Sequence, residues 1–249
     1  GKQGVKALII DSLKSNMEMK TPSEKVAREM LKDIIAGVRS EHNAIVVTTF
    51  SSHIARLKSI IDFGNGLNRK IIFLGRSLFK YVDVAERLQL IKFRDKVEII
   101  GYRRLVEKRL KEIANNKEKY LIVCTGNQGE KDSILSKMAY RDFQWNFSQG
   151  DIVIFSCKTI PTPETTKNRD ELEKELKRQQ VRIFKDIHVS GHASLEDHRD
   201  VLNLLKPEHL FPSHGPYEIV KGMEELGLAM GYKQGKTLHV VKNFDIVKI

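Results

Sequence analysis

The chain has 249 residues, of which 41% are hydrophobic and 30% charged, so it is a globular protein with a real core and room for one large or two moderate domains. Lys plus Arg outnumber Asp plus Glu 43 to 32, and the resulting net charge of +11 favours a polyanionic partner such as nucleic acid. The two cysteines, Cys124 and Cys157, each lie inside an apolar run and read as reduced core thiols; no apolar run approaches about 18 residues and no signal peptide is visible, which predicts a soluble, cytoplasmic protein without a membrane partner.

After GKQG the chain runs straight into an apolar strand, residues 5–11 (VKALIID), an opening abrupt enough to predict a piece of something larger. That strand ends on Asp11-Ser12. A carboxylate at a strand end suits a metal ligand or a general base, and equally a turn cap. Residues 21–24 (TPSE) read as a helix entry, followed by an apolar stripe of Val26, Met30, Leu31, Ile34 and Ile35. By itself, Glu24 in that first turn is a carboxylate complementing the helix dipole.

The pattern then alternates. Residues 44–49 (AIVVTT), 70–74 (KIIFL), 97–100 and 120–124 read as strands, and residues 54–61, 78–90 and 105–114 as helices between them. Continuous apolar strands separated by amphipathic helices predict a parallel sheet covered on both faces. The turns after the strands are small and polar, including FSSH at 50–53 and TGNQGE at 125–130; they offer backbone N–H groups to anions, but TGNQGE lacks the lysine and spacing of a P-loop. A further strand is expected at 151–156 and a loop at 160–164. The charged run at 169–180 reads as a helix with Leu172 and Leu176 inward and its charges in solvent.

Five of the eight histidines fall between His188 and His214. Residues 181–187 predict a strand, and Ser190-Gly191 breaks any helix that would stack His188 on His192, so both imidazoles belong to a strand-exit loop. Ser194 and the acidic residues after it predict a helix start, with Val201, Leu204 and Leu205 on its inner face. A short strand from 209 then delivers His214, where Gly215 permits a tight turn. His198 and His209 read as surface or packing residues. His188, His192 and His214 follow strands and sit beside Gly or Ser, which let a substrate or metal approach. Residues 220–230 continue as helix, and residues 237–241 with 244–249 predict a closing hairpin.

Taken in order, Asp11-Ser12, TPSE, TTFSSH (48–53), TGNQGE, HVSGH (188–192) and SHG (213–215) resemble the β-CASP family of metallo-β-lactamase-fold ribonucleases, and within it the archaeal RNase J group. The resemblance covers essentially the whole chain. It implies an α/β fold: the C-terminal part of a metallo-β-lactamase αββα domain, residues 1–20 and 181–249, carrying an inserted parallel-sheet β-CASP domain at 21–180. It implies Asp11 and His214 as metal ligands, with Glu24 and His192 facing each other as catalytic groups. It also implies a pocket for an RNA 5′ phosphate to which Ser52, His188, Ser190 and Gly191 correspond. The family uses two zinc ions, with manganese as the alternative, and acts on single-stranded RNA; a homodimer is a further partner to expect. The family's HxHxDH motif is absent from these 249 residues, so the N-terminal half of the metallo-β-lactamase domain is expected to be missing and this polypeptide alone to bind metal poorly and be inactive. A 5′-to-3′ exoribonuclease is the first reading; an endonuclease of the RNA 3′-end-processing type and a non-catalytic RNA-binding fragment are the rivals.

Overall fold

The computed structural model describes residues 1–38 and 42–249. In chain order the elements are β1 (Ala7–Asp11), α1 (Glu24–Gly37), β2 (Ile45–Thr48), α2 (Ile54–Gly64), β3 (Lys70–Leu74), α3 (Arg76–Arg87), β4 (Glu98–Ile100) and α4 (Arg103–Ile113). They continue as β5 (Tyr120–Cys124), α5 (Ile134–Ala139), β6 (Ile152–Phe155), α6 (Pro163–Arg178), β7 (Arg182–Phe184), α7 (Leu195–Leu205), β8 (His209–Ser213) and α8 (Tyr217–Ala229). They form two compact units, Glu24–His188 and the pair of segments Gly1–Ser23 and Val189–Ile249.

In the Glu24–His188 unit, the strands described form one parallel sheet of order β4-β3-β5-β2-β6-β7. The continuous apolar runs of the sequence arise because both faces are buried. Alternate residues feed opposite cores: Val46, Ile72, Ile122 and Val153 face one layer, with Val106 and Leu110 of α4 and Leu172 and Leu176 of α6. Ile45, Ile71, Leu121 and Ile152 face the other, with Leu31 of α1, Leu57 and Ile60 of α2 and Val82 of α3. Each fully buried aliphatic side chain contributes about 1.5–3 kcal/mol. No helix among the described residues is long and apolar enough to cross a membrane.

Several expectations are corrected here. On α1 the buried seam is Ala27, Leu31 and Ile35, at i, i+4 and i+8 of one helix face, while Val26 and Met30, one position N-terminal to Ala27 and Leu31, fall beside that face and are exposed. Helix α5 has no counterpart in the sequence reading; at six residues it is too short to show a periodicity. Helix α6 begins at Pro163, capped by Thr162, whose Oγ accepts from the Thr165 amide at 3.2 Å. Its charges are not all solvated. Arg169 and Glu173 are buried as a pair at 3.0 Å, and Arg169 donates to the Asn127 carbonyl at 2.7 Å and covers the Phe155 ring. Strand β7, read with the C-terminal segment, pairs in parallel with β6 and is an edge of the large sheet.

In the other unit β1 pairs in parallel with β8, Ala7 opposite His209 through Asp11 opposite Ser213. Leu202 of α7, Leu210, Met223 and Leu226 of α8, and Leu238 form its core, with Leu8 and Ile10 against it. The inner face of α7 is His198 and Leu202 rather than Val201, Leu204 and Leu205; Leu204 is 75% exposed. His198 is thus a packing residue, and His209 bonds through Nδ1 to His239 Nε2 at 3.0 Å. No closing hairpin forms among the described residues: Leu238 bridges to Leu210 and Gln234, and Phe244 is fully exposed.

Candidate metal centre

The parallel register puts the C-terminal ends of β1 and β8 side by side, since Asp11 lies opposite Ser213 and the Ser12 amide donates to the Ser213 carbonyl at 3.0 Å. The next residue is His214, with φ +74°, followed by Gly215 at φ +147°, a left-handed turn that a side chain at 215 would strain. This turn brings His214 Nδ1 to 3.4 Å from Asp11 Oδ1. His192 Nδ1 hydrogen-bonds the other oxygen, Oδ2. The two imidazoles cross edge to face with centroids 5.5 Å apart.

The loop carrying His192 is tied down. Thr21 Oγ1 donates to the His192 carbonyl at 2.9 Å, and Ser190 Oγ accepts from the His192 amide at 3.1 Å. Asp197, in the capping box of α7, accepts from the amides of Ser194 and Thr21 at 3.0 and 2.8 Å. The role of Thr21 was not legible in TPSE, because its partners lie more than 170 residues away. Burial raises the Asp11 pKa, but the His192 hydrogen bond, the Leu13 amide at 2.8 Å and the fields of both histidines outweigh it, and the carboxyl sits below its ordinary value. Asp11, His192 and His214 each offer one ligand atom, all within 4.8 Å of one another. One carboxylate oxygen and two imidazole nitrogens suit zinc or manganese, and three donors suffice for one partly coordinated ion. A dinuclear centre needs more ligands than this group supplies.

In the Glu24–His188 unit, Glu24 opens α1 and is held by Arg56 of α2, Nε to Oε1 at 2.6 Å and Nη2 to Oε2 at 2.8 Å. His53 Nε2 lies 3.4 Å from the same carboxylate. Glu24 and His192 belong to different units, and each carries a partner within its own. Arg56 Nη1 further donates to the carbonyls of Ser156 and Ile187, at 2.9 and 2.7 Å, and to Ser156 Oγ. The sequence reading passed over Arg56, although it stands four residues before Ile60 on the apolar face of α2, where a charge needs a partner. Burial raises the Glu24 pKa, and the Arg56 hydrogen bond and charge bring it below the ordinary value. His188 follows Ile187 and is half-buried, with Nδ1 lacking a hydrogen-bond partner among the described residues. Burial, then the charges of Arg56, His53 and Lys158, push its pKa down to about 4 against the opposing pull of Glu24. Ser52 is exposed after β2, and the space around the Gly191 Cα is open.

Comparison with known proteins places these motifs. Residues 42–170 match the family model described as Ribonuclease J, beta-CASP domain, and residues 179–234 that of the Zn-dependent metallo-hydrolase RNA specificity domain. The chain is 42% identical over 244 residues to Ribonuclease J of Methanocaldococcus jannaschii, covering 98% of this chain and 54% of that protein. It is 41% identical over 249 residues to Ribonuclease J of Pyrococcus abyssi, covering 100% and 55%. With Ribonuclease J of Helicobacter pylori (strain J99) the figures are 32% over 257 residues, 100% and 35%. The chain therefore spans about half the length of the archaeal relatives it matches. Parallel α/β sheets, a β-CASP match over more than half of the residues and a metallo-hydrolase match after it fit a metallo-β-lactamase-type fold, and the chain belongs to the ribonuclease J family of β-CASP proteins.

Proposed function

We propose that this chain carries part of the active site of a metal-dependent ribonuclease that removes nucleotides from the 5′ end of single-stranded RNA bearing a 5′ monophosphate. The observation that supports it most is the convergence of Asp11, His192 and His214 at the ends of two adjacent parallel strands. In this reading Asp11 and His214 hold metal. Zinc or manganese ions supply Lewis acidity and a water made nucleophilic at neutral pH. With Nδ1 engaged by Asp11, His192 keeps Nε2 for the substrate: it hydrogen-bonds the scissile phosphate or, as imidazolium, gives its proton to the leaving oxygen. Glu24, oriented by Arg56, is the second catalytic group. The terminal phosphate goes to the hydroxyls of Ser52 and Ser190, the His188 imidazole and the Gly191 amide, on their chemistry as hydrogen-bonding groups for a phosphate monoester. The +11 net charge suits the RNA backbone.

The remaining ligands come, in this proposal, from sequence outside these 249 residues. A β1-β8 sheet of two parallel strands with Ile9 74% exposed supports that, since parallel sheets are stable when further strands and helices cover them. The 249-residue chain alone then binds zinc weakly and does not cleave RNA. A homodimer would add a second copy of the same site.

In a form that supplies the other ligands, His192→Ala is expected to abolish cleavage while RNA affinity stays close to wild type. Unchanged turnover removes His192 from the mechanism. Mononucleotides released from 5′-monophosphorylated RNA support the exonuclease; internal fragments replace it with an endonuclease.

A further inference from the structure

The order β4-β3-β5 brings diverging chain exits to one edge of the large sheet: β3 leaves through α3 toward β4 on one side, and β5 leaves through α5 toward β6 on the other. Between such exits an open parallel sheet leaves a crevice at the carboxyl ends of its strands, the usual ligand position of α/β proteins. Here the crevice is a cavity of about 370 Å³, lined by Arg76 at the start of α3, Arg103 at the start of α4, Lys137 of α5, Asp132, Thr125 and Phe143.

The lining is cationic. Lys137 is only 6% exposed and is held at 3.0 Å by Asp132, whose side chain is 99% exposed. Three cations against one carboxylate leave two positive charges in excess. Neither Arg76 nor Arg103 forms a contact ion pair among the described residues, though the Arg103 charge acts on Asp132, and the Arg103 guanidinium lies 5.8 Å from the centre of the Phe143 ring. A buried lysine flanked by two arginines, with one carboxylate among the three, raises the local affinity for anions. The amides that open α3 and α4 add to it, because neither Gly75 nor Tyr102 caps its helix with a side chain.

We propose that this crevice is a phosphate-binding subsite for a nucleotide, with Arg76, Arg103 and Lys137 on the phosphate. It lies wholly within the Glu24–His188 unit and does not rest on the ribonuclease reading. The phosphate belongs either to a free mononucleotide or to an RNA chain, and the two sources separate by experiment.

The test is calorimetric titration of the 249-residue protein at low salt with inorganic phosphate, AMP and an octaadenylate carrying a 5′ hydroxyl. Saturable binding of AMP or octaadenylate is expected, weakened about tenfold or more in the double variant Arg76→Ala, Arg103→Ala. Both arginines are exposed, so the double variant is expected to unfold at the wild-type temperature. Octaadenylate binding tighter than AMP, with a salt dependence that flattens in the double variant, identifies an RNA chain; equal affinities identify a mononucleotide. Absence of saturable binding of all three ligands, or a double variant that binds them as wild type does, overturns the proposal.

Discussion

Arg56 and Glu24 form a two-point ion pair, at 2.6 and 2.8 Å, in which the guanidinium has no solvent exposure and the carboxylate is 30% exposed. The same guanidinium donates to the Ile187 carbonyl, one residue before His188, so a single side chain fixes the start of α1, the exit of β6 and the approach to the histidine loop. Arg56→Met strands the Glu24 carboxylate and two carbonyls, and is expected to lower unfolding free energy by about 3 kcal/mol. Arg56→Lys, lacking the planar fork, recovers only part of that. Urea denaturation of the three proteins measures both.

Stability is expected to fall in mildly acidic solution through His188. Its folded pKa, about 4, is below the ordinary 6.5, so the unfolded chain takes up the proton first. The contribution is complete above about pH 6.5 and is lost as the pH falls toward 4. Denaturation midpoints of His188→Gln are expected to show a shallower decline over that window than wild type, and identical slopes would place the burial of His188 in error.

Metal binding by these 249 residues is expected to be weak and to involve at most one ion, since with His192 turned to the substrate only Asp11 and His214 of the converging group remain as ligands, where a closed zinc site uses four. Equilibrium dialysis against zinc and manganese is the check. Asp11→Ala and His214→Ala are each expected to remove the binding, while Ser52→Ala leaves it unchanged.

Both thiols are buried and unpaired, and burial raises the pKa of each. Native protein is expected to resist a thiol reagent at neutral pH, and both cysteines to react once the sheet unfolds. Prompt reaction of the native protein would contradict the packing of β5 and of the segment after β6.

Gly222→Ala is expected to destabilise the protein despite the better helix propensity of alanine. A Cβ at 222 on α8 would meet the Ser15 backbone carbonyl at 2.7 Å, so either the helix or the segment after Asp11 must move. The gain of about 1 kcal/mol from replacing glycine in a helix is smaller than the cost of shifting packed backbone. Thermal unfolding reads the sign.

The sequence by itself determined the strands of the large sheet, because a run such as YLIVC or DIVIF has no other stable place than between two covered faces, and the alternation with amphipathic helices required them to be parallel. It also determined the start of α7, where Ser194 and Asp197 are local capping chemistry, and it singled out Asp11, His192 and His214 as residues at strand and loop ends. Tertiary structure alone decided that these three meet, since the pairing of β1 with β8 joins segments about two hundred residues apart, and no local pattern encodes which two strands will pair. It likewise decided that Arg56 and Arg169 are buried, that Val26 and Leu204 are not, and that the last residues form no hairpin. Charge and apolarity set a residue's preference, but whether a partner stands opposite is a property of the assembled fold.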